Sequence, residues 1–236
     1  MADREPRPVP DDPRDWTPMR PYQGRRKFDI IDPVAEPLWS GVRVLLHFRS
    51  RPGAEPPAEV QLIEELGVDL SEELPAVSDA IGRGVMAVEA IIDGVISRQV
   101  GLDGVGAAAI PEVRASTTGL LIRNDAELDV VPRGVIEDSP AAIVPVDGFI
   151  AVDLLRVDGT SLLDVPLLER KRILESVIQE SDLLRTSAHV RPPIETWIGT
   201  WKAMGLRGGI LKAANSRYHP GADSIEWRVV ERVGRH

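Results

Sequence analysis

Cysteine is absent from the 236 residues, so disulfides and thiolate metal ligands are excluded. A reducing compartment is compatible with that absence. No apolar run approaches the roughly 20 residues that span a bilayer, and the N-terminus has no long apolar stretch. The expectation is a cytoplasmic chain without membrane contact. Lysine is scarce: Lys27, Lys171, Lys202 and Lys212 are the only four, beside 24 arginines. Bases are outnumbered by acids, 28 against 37, for a formal charge of −9. Affinity for duplex DNA comes largely from phosphate neutralisation by Lys and Arg, so the isolated chain is expected to bind DNA weakly. The four histidines, His47, His189, His219 and His236, show no ligand spacing, and no metal site is expected.

What is present suits one globular domain with a tail: 43% of residues are apolar and 28% charged. Residues 1–27 hold six prolines, many charges and few apolar side chains, and are expected to form a flexible N-terminal tail outside the core. Arg25-Arg26-Lys27 reads as a solvated flank rather than a nucleic-acid contact. The domain is then 28–236. Val42 to Phe48 is rich in β-formers, the Pro/Gly-rich stretch 51–57 reads as a loop, and Val60 to Ile63 as the return strand of a hairpin. Ser71, followed by glutamates, is the expected start of a short helix. Met86 to Ile92 reads as a buried strand, and Leu120–Ile122 with Leu128–Val131 as a hairpin around Asn124-Asp125. Phe149 onward gives a strand, a turn at Asp158-Gly159, and a helix opened by Pro166 with Leu167, Leu174, Val177 and Ile178 on one face. Ile194, Trp197, Ile198, Trp201 and Met204 fall at helical spacing before a capping Gly205, and the tryptophans read as core rather than as a base-stacking platform.

Against this frame, Glu36-Pro37-Leu38-Trp39-Ser40-Gly41-Val42-Arg43 resembles the nucleophile motif of the ATP-dependent DNA ligases, E-P-K-W-D-G-x-R. Further blocks follow in the family's order. Val60 to Val77 resembles V-R-L-x-S-R-N-G-x-D-L-T and F-P-E-L. Asp93-Gly94-Val95 stands at D-G-E, and Phe149 to Arg172 at F-D-L-L-x-x-D-G with L-x-x-x-P-L-x-x-R-R. Gly205 to Lys212 and Ser216 to Gly221 resemble G-L-E-G-V-M-x-K and S-x-Y-x-P-G, and Glu226 to Glu231 the closing D-W-L-K-V-K. The resemblance implies an α+β nucleotidyltransferase fold of the DNA ligase and mRNA capping enzyme type, with twisted antiparallel sheets flanked by helices around a central cleft. No counterpart of the family's downstream OB-fold domain is seen, and residues 100–147 fit least, as if rebuilt.

The departures converge on the chemistry the resemblance implies. Leu38 stands at the lysine that attacks the α-phosphate of ATP, and a leucine has no lone pair to attack with. Ser40 stands at the motif's aspartate, and Glu65 at the nucleotide-site arginine of the S-R-N-G element. Val95 and Arg207 replace acids on the metal side of the site; Val95 offers no oxygen to Mg²⁺. Val152 replaces the ring that stacks on adenine, and Val229 and Glu231 the two lysines that handle phosphates. Trp39, Gly41, Arg43 and Lys212 match. Arg43 and Lys212 could each be a phosphate contact or a salt bridge, and the salt bridge is the reading taken. The expectation is a degenerate nucleotide cleft with no catalytic residue and no cofactor, acting as a binding or structural module with a protein partner. The alternatives are an active adenylyltransferase using ATP, Mg²⁺ and a displaced nucleophile such as Lys27 or Lys212, and a nucleotide- or nucleic-acid-binding sensor.

Overall fold

A computed structural model describes residues 10–22, 29–98 and 147–231. The expected hairpin around Asn124, the rest of the 100–147 region up to residue 146, the Arg25-Arg26-Lys27 triplet and His236 lie outside the described residues.

In chain order the elements are β1 (Arg20–Pro21), β2 (Pro33–Pro37), β3 (Val42–Ser50), β4 (Ala58–Glu64), α1 (Pro75–Gly84), β5 (Glu89–Ser97), β6 (Gly148–Val157), β7 (Thr160–Ser161), α2 (Leu167–Val177), β8 (Leu184–Thr186), α3 (Ile194–Ala203), β9 (Gly209–Ala213), β10 (Asp223–Ser224) and β11 (Trp227–Val230). The larger sheet runs β4-β3-β5-β6, with β7 and β8 sharing the outer edge of β6. All of its ladders are antiparallel except the β6–β8 pair. The smaller sheet, β11-β9-β2, is antiparallel throughout.

The period-two geometry of a strand sorts β3 into two faces. Val44, Leu46 and Phe48 join the main core with Val77 and Ile81 of α1 and Leu174 of α2. Between them, Arg43 and Leu45 are buried on the opposite face. Leu45 meets Ile91, Leu155, Ile210, Tyr218 and Trp227 in a second core that joins the two sheets. The cleft lies beside this second core and shares Ile210 with it.

Four expectations need correction. Trp16 and Met19 are buried in the second core, and Met19 N–H donates to the Tyr218 hydroxyl at 2.9 Å, so residues 10–22 are not a detached tail. Helix α1 begins at Pro75, not Ser71. The Ser71 hydroxyl is engaged with Asp69 and accepts from Leu62 N–H, so it holds the preceding turn instead of capping a helix. The strand expected from Met86 starts at Glu89, leaving Met86 and Val88 exposed. On α3, Ile194, Ile198 and Trp201 are buried, but Trp197 is 41% exposed and only flanks Trp201.

Candidate functional site in the cleft

The motif peptide crosses the cleft at the end of β2. Leu38 N–H donates to Gly208 C=O at 3.0 Å, which ties it to the approach to β9. Its side chain is 2% exposed and lines a small space in the cleft with Val95, Val152 and Ile210. That space is about 30 Å³, room for roughly one water, whereas ligand pockets run from about 300 Å³ upward. Val95 and Val152 pack on each other and on Trp39, whose indole N–H donates to Ser187 Oγ at 2.9 Å. A register shift puts Val152 here. Asp153 lies opposite Asp93 and Ala151 opposite Gly94, so Val152 is left unmatched between them. Apolar side chains therefore occupy the place that the ligase motif gives to the nucleophile, the metal-side acid and the adenine ring.

Gly41 is fixed by sterics: its φ is 150°, and a Cβ there would lie 1.9 Å from the Ile96 carbonyl oxygen. Ser40, next to it, is buried, and its carbonyl accepts from the Ser97 hydroxyl at 2.6 Å.

Beside the apolar plug lies a chain of buried ions. Arg43 Nε donates to Asp93 Oδ1 at 2.7 Å, and its Nη2 also binds that carboxylate. The Tyr218 hydroxyl donates to Asp93 Oδ2 at 2.8 Å. Burial opposes the Arg43 charge, but Asp93 more than offsets this and raises its pKa; burial, with Asp93 alongside, pushes Tyr218 up as well. A second pair is bidentate: Arg170 Nε and Nη2 reach Asp153 at 2.8 Å each, while Arg170 Nη1 donates to Ser216 C=O at 2.9 Å. The third unit is Glu36, held by Lys171 Nζ and Lys212 Nζ at 2.9 Å each, with all three side chains 1% exposed. Lys212 Nζ also sits 4.2 Å from the centre of the Trp227 ring.

One carboxylate shared by two ammonium groups gives opposite results for its partners. Burial works against the Glu36 charge, but the two lysines prevail and lower its pKa to about 2. For Lys212, burial leads, Lys171 adds repulsion, and Glu36 does not make up the difference, so its pKa is lowered. Glu36 and Lys171 were missed as site residues. The available signal was helical spacing: Leu167, Lys171 and Leu174 fall at i, i+4 and i+7, which places Lys171 on the buried face of α2.

The remaining candidates lie elsewhere. Arg207 Nη2 meets Glu231 Oε1 at 2.7 Å on the outside of the smaller sheet. The two positions where the ligase motif has an acid and a lysine thus carry the opposite signs here, and they pair with each other. Val229 is half-buried in the ladder opposite Ile210, and Lys202 Nζ donates to Glu231 C=O at 3.0 Å. Glu65 is half-buried at the end of β4, near enough to favour the Arg43 charge. Of the sequence-selected residues, the structure brings together Leu38, Trp39, Arg43, Val95, Val152 and Lys212 and leaves Arg207, Val229 and Glu231 outside. Among the described residues no three acids or histidines are placed to hold a metal, and no helix is long and apolar enough to cross a membrane.

A family model described as the ATP dependent DNA ligase domain matches residues 142–228. The chain is 31% identical over 193 residues to DNA ligase 1 of Korarchaeum cryptofilum, covering 81% of the chain and 31% of the relative. It is 28% identical over 200 residues to DNA ligase 1 of Methanosarcina barkeri, covering 82% and 33%. The chain therefore spans about a third of the length of the curated relatives it matches. Among solved structures, the ligase domain of LigD from M. tuberculosis has a TM-score of 0.58 at 20% identity, over 92% of this chain and 59% of that one. A mycobacterial DNA ligase D complexed with ATP has a TM-score of 0.57 at 19% identity, over 92% and 60%.

Proposed function

We propose that this chain, a DNA ligase-like adenylation domain with the nucleotidyltransferase fold, is a non-catalytic member of that lineage that serves as a protein-binding or structural module. One observation carries the reading: Leu38, at the nucleophile position, is buried in a cleft closed by its own side chains. Adenylyl transfer needs a free amine lone pair at the α-phosphate of ATP. Among the described residues, Lys171 and Lys212 are both buried on Glu36, and Lys202 faces out on the smaller sheet. Among the described residues the space beside Leu38 is about 30 Å³, too small for a nucleotide.

Incubation with α-labelled ATP and Mg²⁺ should leave no label on the denatured protein, and titration calorimetry should show no ATP binding in the low micromolar range. The enzymatic alternative rests on Lys212, an amine beside the remaining space with a lowered pKa. An acid-labile adduct mapped to Lys212 would replace the non-catalytic reading with that one. For nicked duplex DNA the net charge of −9 opposes approach, and Glu65 presents a negative charge where the motif has a positive one. Mobility shifts across a salt series should show weak binding. A tight complex with a steep salt slope would mean that the arginines are gathered on one face.

A further inference from the structure

Among the described residues the edge strand β4 has β3 as its one strand partner, apart from a bridge between Ile63 and Asp69, and its outer side opens onto helix α1. Between them runs a groove of about 670 Å³. Ala58 and Val60 lie on the strand side, Pro56 and Pro57 at one end, and Pro75 and Ala76 on the helix side. The far end of β4 is already capped by its own chain. Leu62 N–H donates to Ser71 Oγ at 3.0 Å, and Leu62 C=O accepts from Leu70 N–H at 2.9 Å, both on the side away from β3. Backbone direction repeats every two residues along a strand, so the Val60 N–H and C=O point to that same side. Among the described residues no group bonds to either. This stretch of β4 is thus an open template for one more strand.

The groove's charge selects what can fill it. Glu59 and Glu72 line it and are exposed, with no ion-pair partner among the described residues, and Glu55 and Glu73 are exposed next to them. Among the described residues Arg51 is the one cation in the lining, and Asp79 is held by Arg83. A second copy of this chain, itself at −9, is a poor match. We propose that the groove between β4 and α1 docks an extended, basic segment of a partner protein, which adds as a strand at Ala58–Val60. Its small apolar residues would rest on the proline and alanine walls, and its cations would meet Glu59 and Glu72. The groove is separate from the cleft. A failed peptide test leaves the non-catalytic reading standing, and a labelled lysine in the cleft leaves the groove standing.

The test uses the full chain and three fluorescent peptides: one of alternating lysine and valine, one of alternating glutamate and valine, and the basic one N-methylated at every residue, which cannot complete the ladder from either edge. The basic peptide should bind by anisotropy, and binding should slow hydrogen exchange at the Val60 amide. Glu59→Lys with Glu72→Lys should weaken binding about ten-fold or more. Ala76→Trp, at an exposed helix position, should block it, and the melting temperature of each variant should match the parent. Equal binding of the acidic or N-methylated peptide, or binding without protection at Val60, would overturn the proposal. So would sedimentation showing a dimer of this chain with Val60 protected, since a second copy would then be the occupant.

Discussion

Restoring the lysine alone, by Leu38→Lys, should cost stability and return no activity. Leu38 is 2% exposed, and burying such a side chain contributes about 1.5–3 kcal/mol. A lysine stem recovers part of that, but its ammonium would enter a space of about 30 Å³ beside Arg43 and Lys212. Glu36, the acid lining that space, is already held by two ammonium groups at 2.9 Å. The new amine must stay charged without a partner or lose its proton, at about 1.4 kcal/mol for each pKa unit of depression. With about 1.5 kcal/mol of burial lost and a depression of about two pKa units, the cost comes to about 4 kcal/mol. A domain of this size loses about 2–4 °C per kcal/mol, so the melting temperature should fall by roughly 8–16 °C. The sign of the pH dependence follows from the direction of the shift. A lysine with a folded pKa below its unfolded value of about 10.4 costs nothing above that pH, and progressively more as pH falls toward the folded pKa. The deficit should therefore be larger at pH 7 than at pH 10. Thermal melts at both pH values, with α-labelled ATP incubation, make the test. An unchanged melting temperature at both, or a labelled adduct, would refute the picture of a filled cleft.

Acid should expose the Glu36 cluster. Its pKa is lowered from 4.5 to about 2, so its contribution, on the order of 3 kcal/mol, is complete above pH 4.5 and lost as pH falls toward 2. Urea titrations should show that loss in the parent and not in Glu36→Gln, which should be about 3–5 kcal/mol less stable at neutral pH. Gly41→Ala should destabilise by about 1–3 kcal/mol or more, because its Cβ would meet the Ile96 carbonyl oxygen at 1.9 Å; a neutral melt would show that the backbone there gives way. Exchanging the outer pair, Arg207→Glu with Glu231→Lys, should change stability by less than about 1 kcal/mol. It should also restore no adenylylation, since both residues lie outside the cleft; a gain of label in that variant would place them at the chemistry after all.

The ladders and helices were largely legible from local pattern. The β-formers of Val42 to Phe48 predicted β3, the Asp158-Gly159 pair predicted the turn after β6, and Pro166 marked the opening of α2. The order of short motifs carried the fold family, because glycines such as Gly41 and Gly94 are dictated by close backbone and ring approach. Element boundaries at Ser71 and Met86 were misread, since hydroxyl–carboxylate bonding in a turn competes with capping and a propensity run does not show where pairing starts. Trp16 and Met19 were misread because proline and charge dominate their surroundings, and two buried side chains leave little compositional trace.

The departure at the nucleophile position was legible in the sequence, in the single residue Leu38. What surrounds that residue was not. Leu38 follows β2, while Val95 and Val152 lie on β5 and β6, all far apart in sequence, and only their meeting shows that these side chains line one volume. The shared carboxylate of Glu36 joins β2, α2 and β9, and the pairing of Arg207 with Glu231 joins positions 24 residues apart. Hydrophobic periodicity and backbone sterics act between near neighbours, so a chain displays them locally. Space filling and Coulomb interaction depend on distance between elements, and that distance exists only once the two sheets have closed on each other.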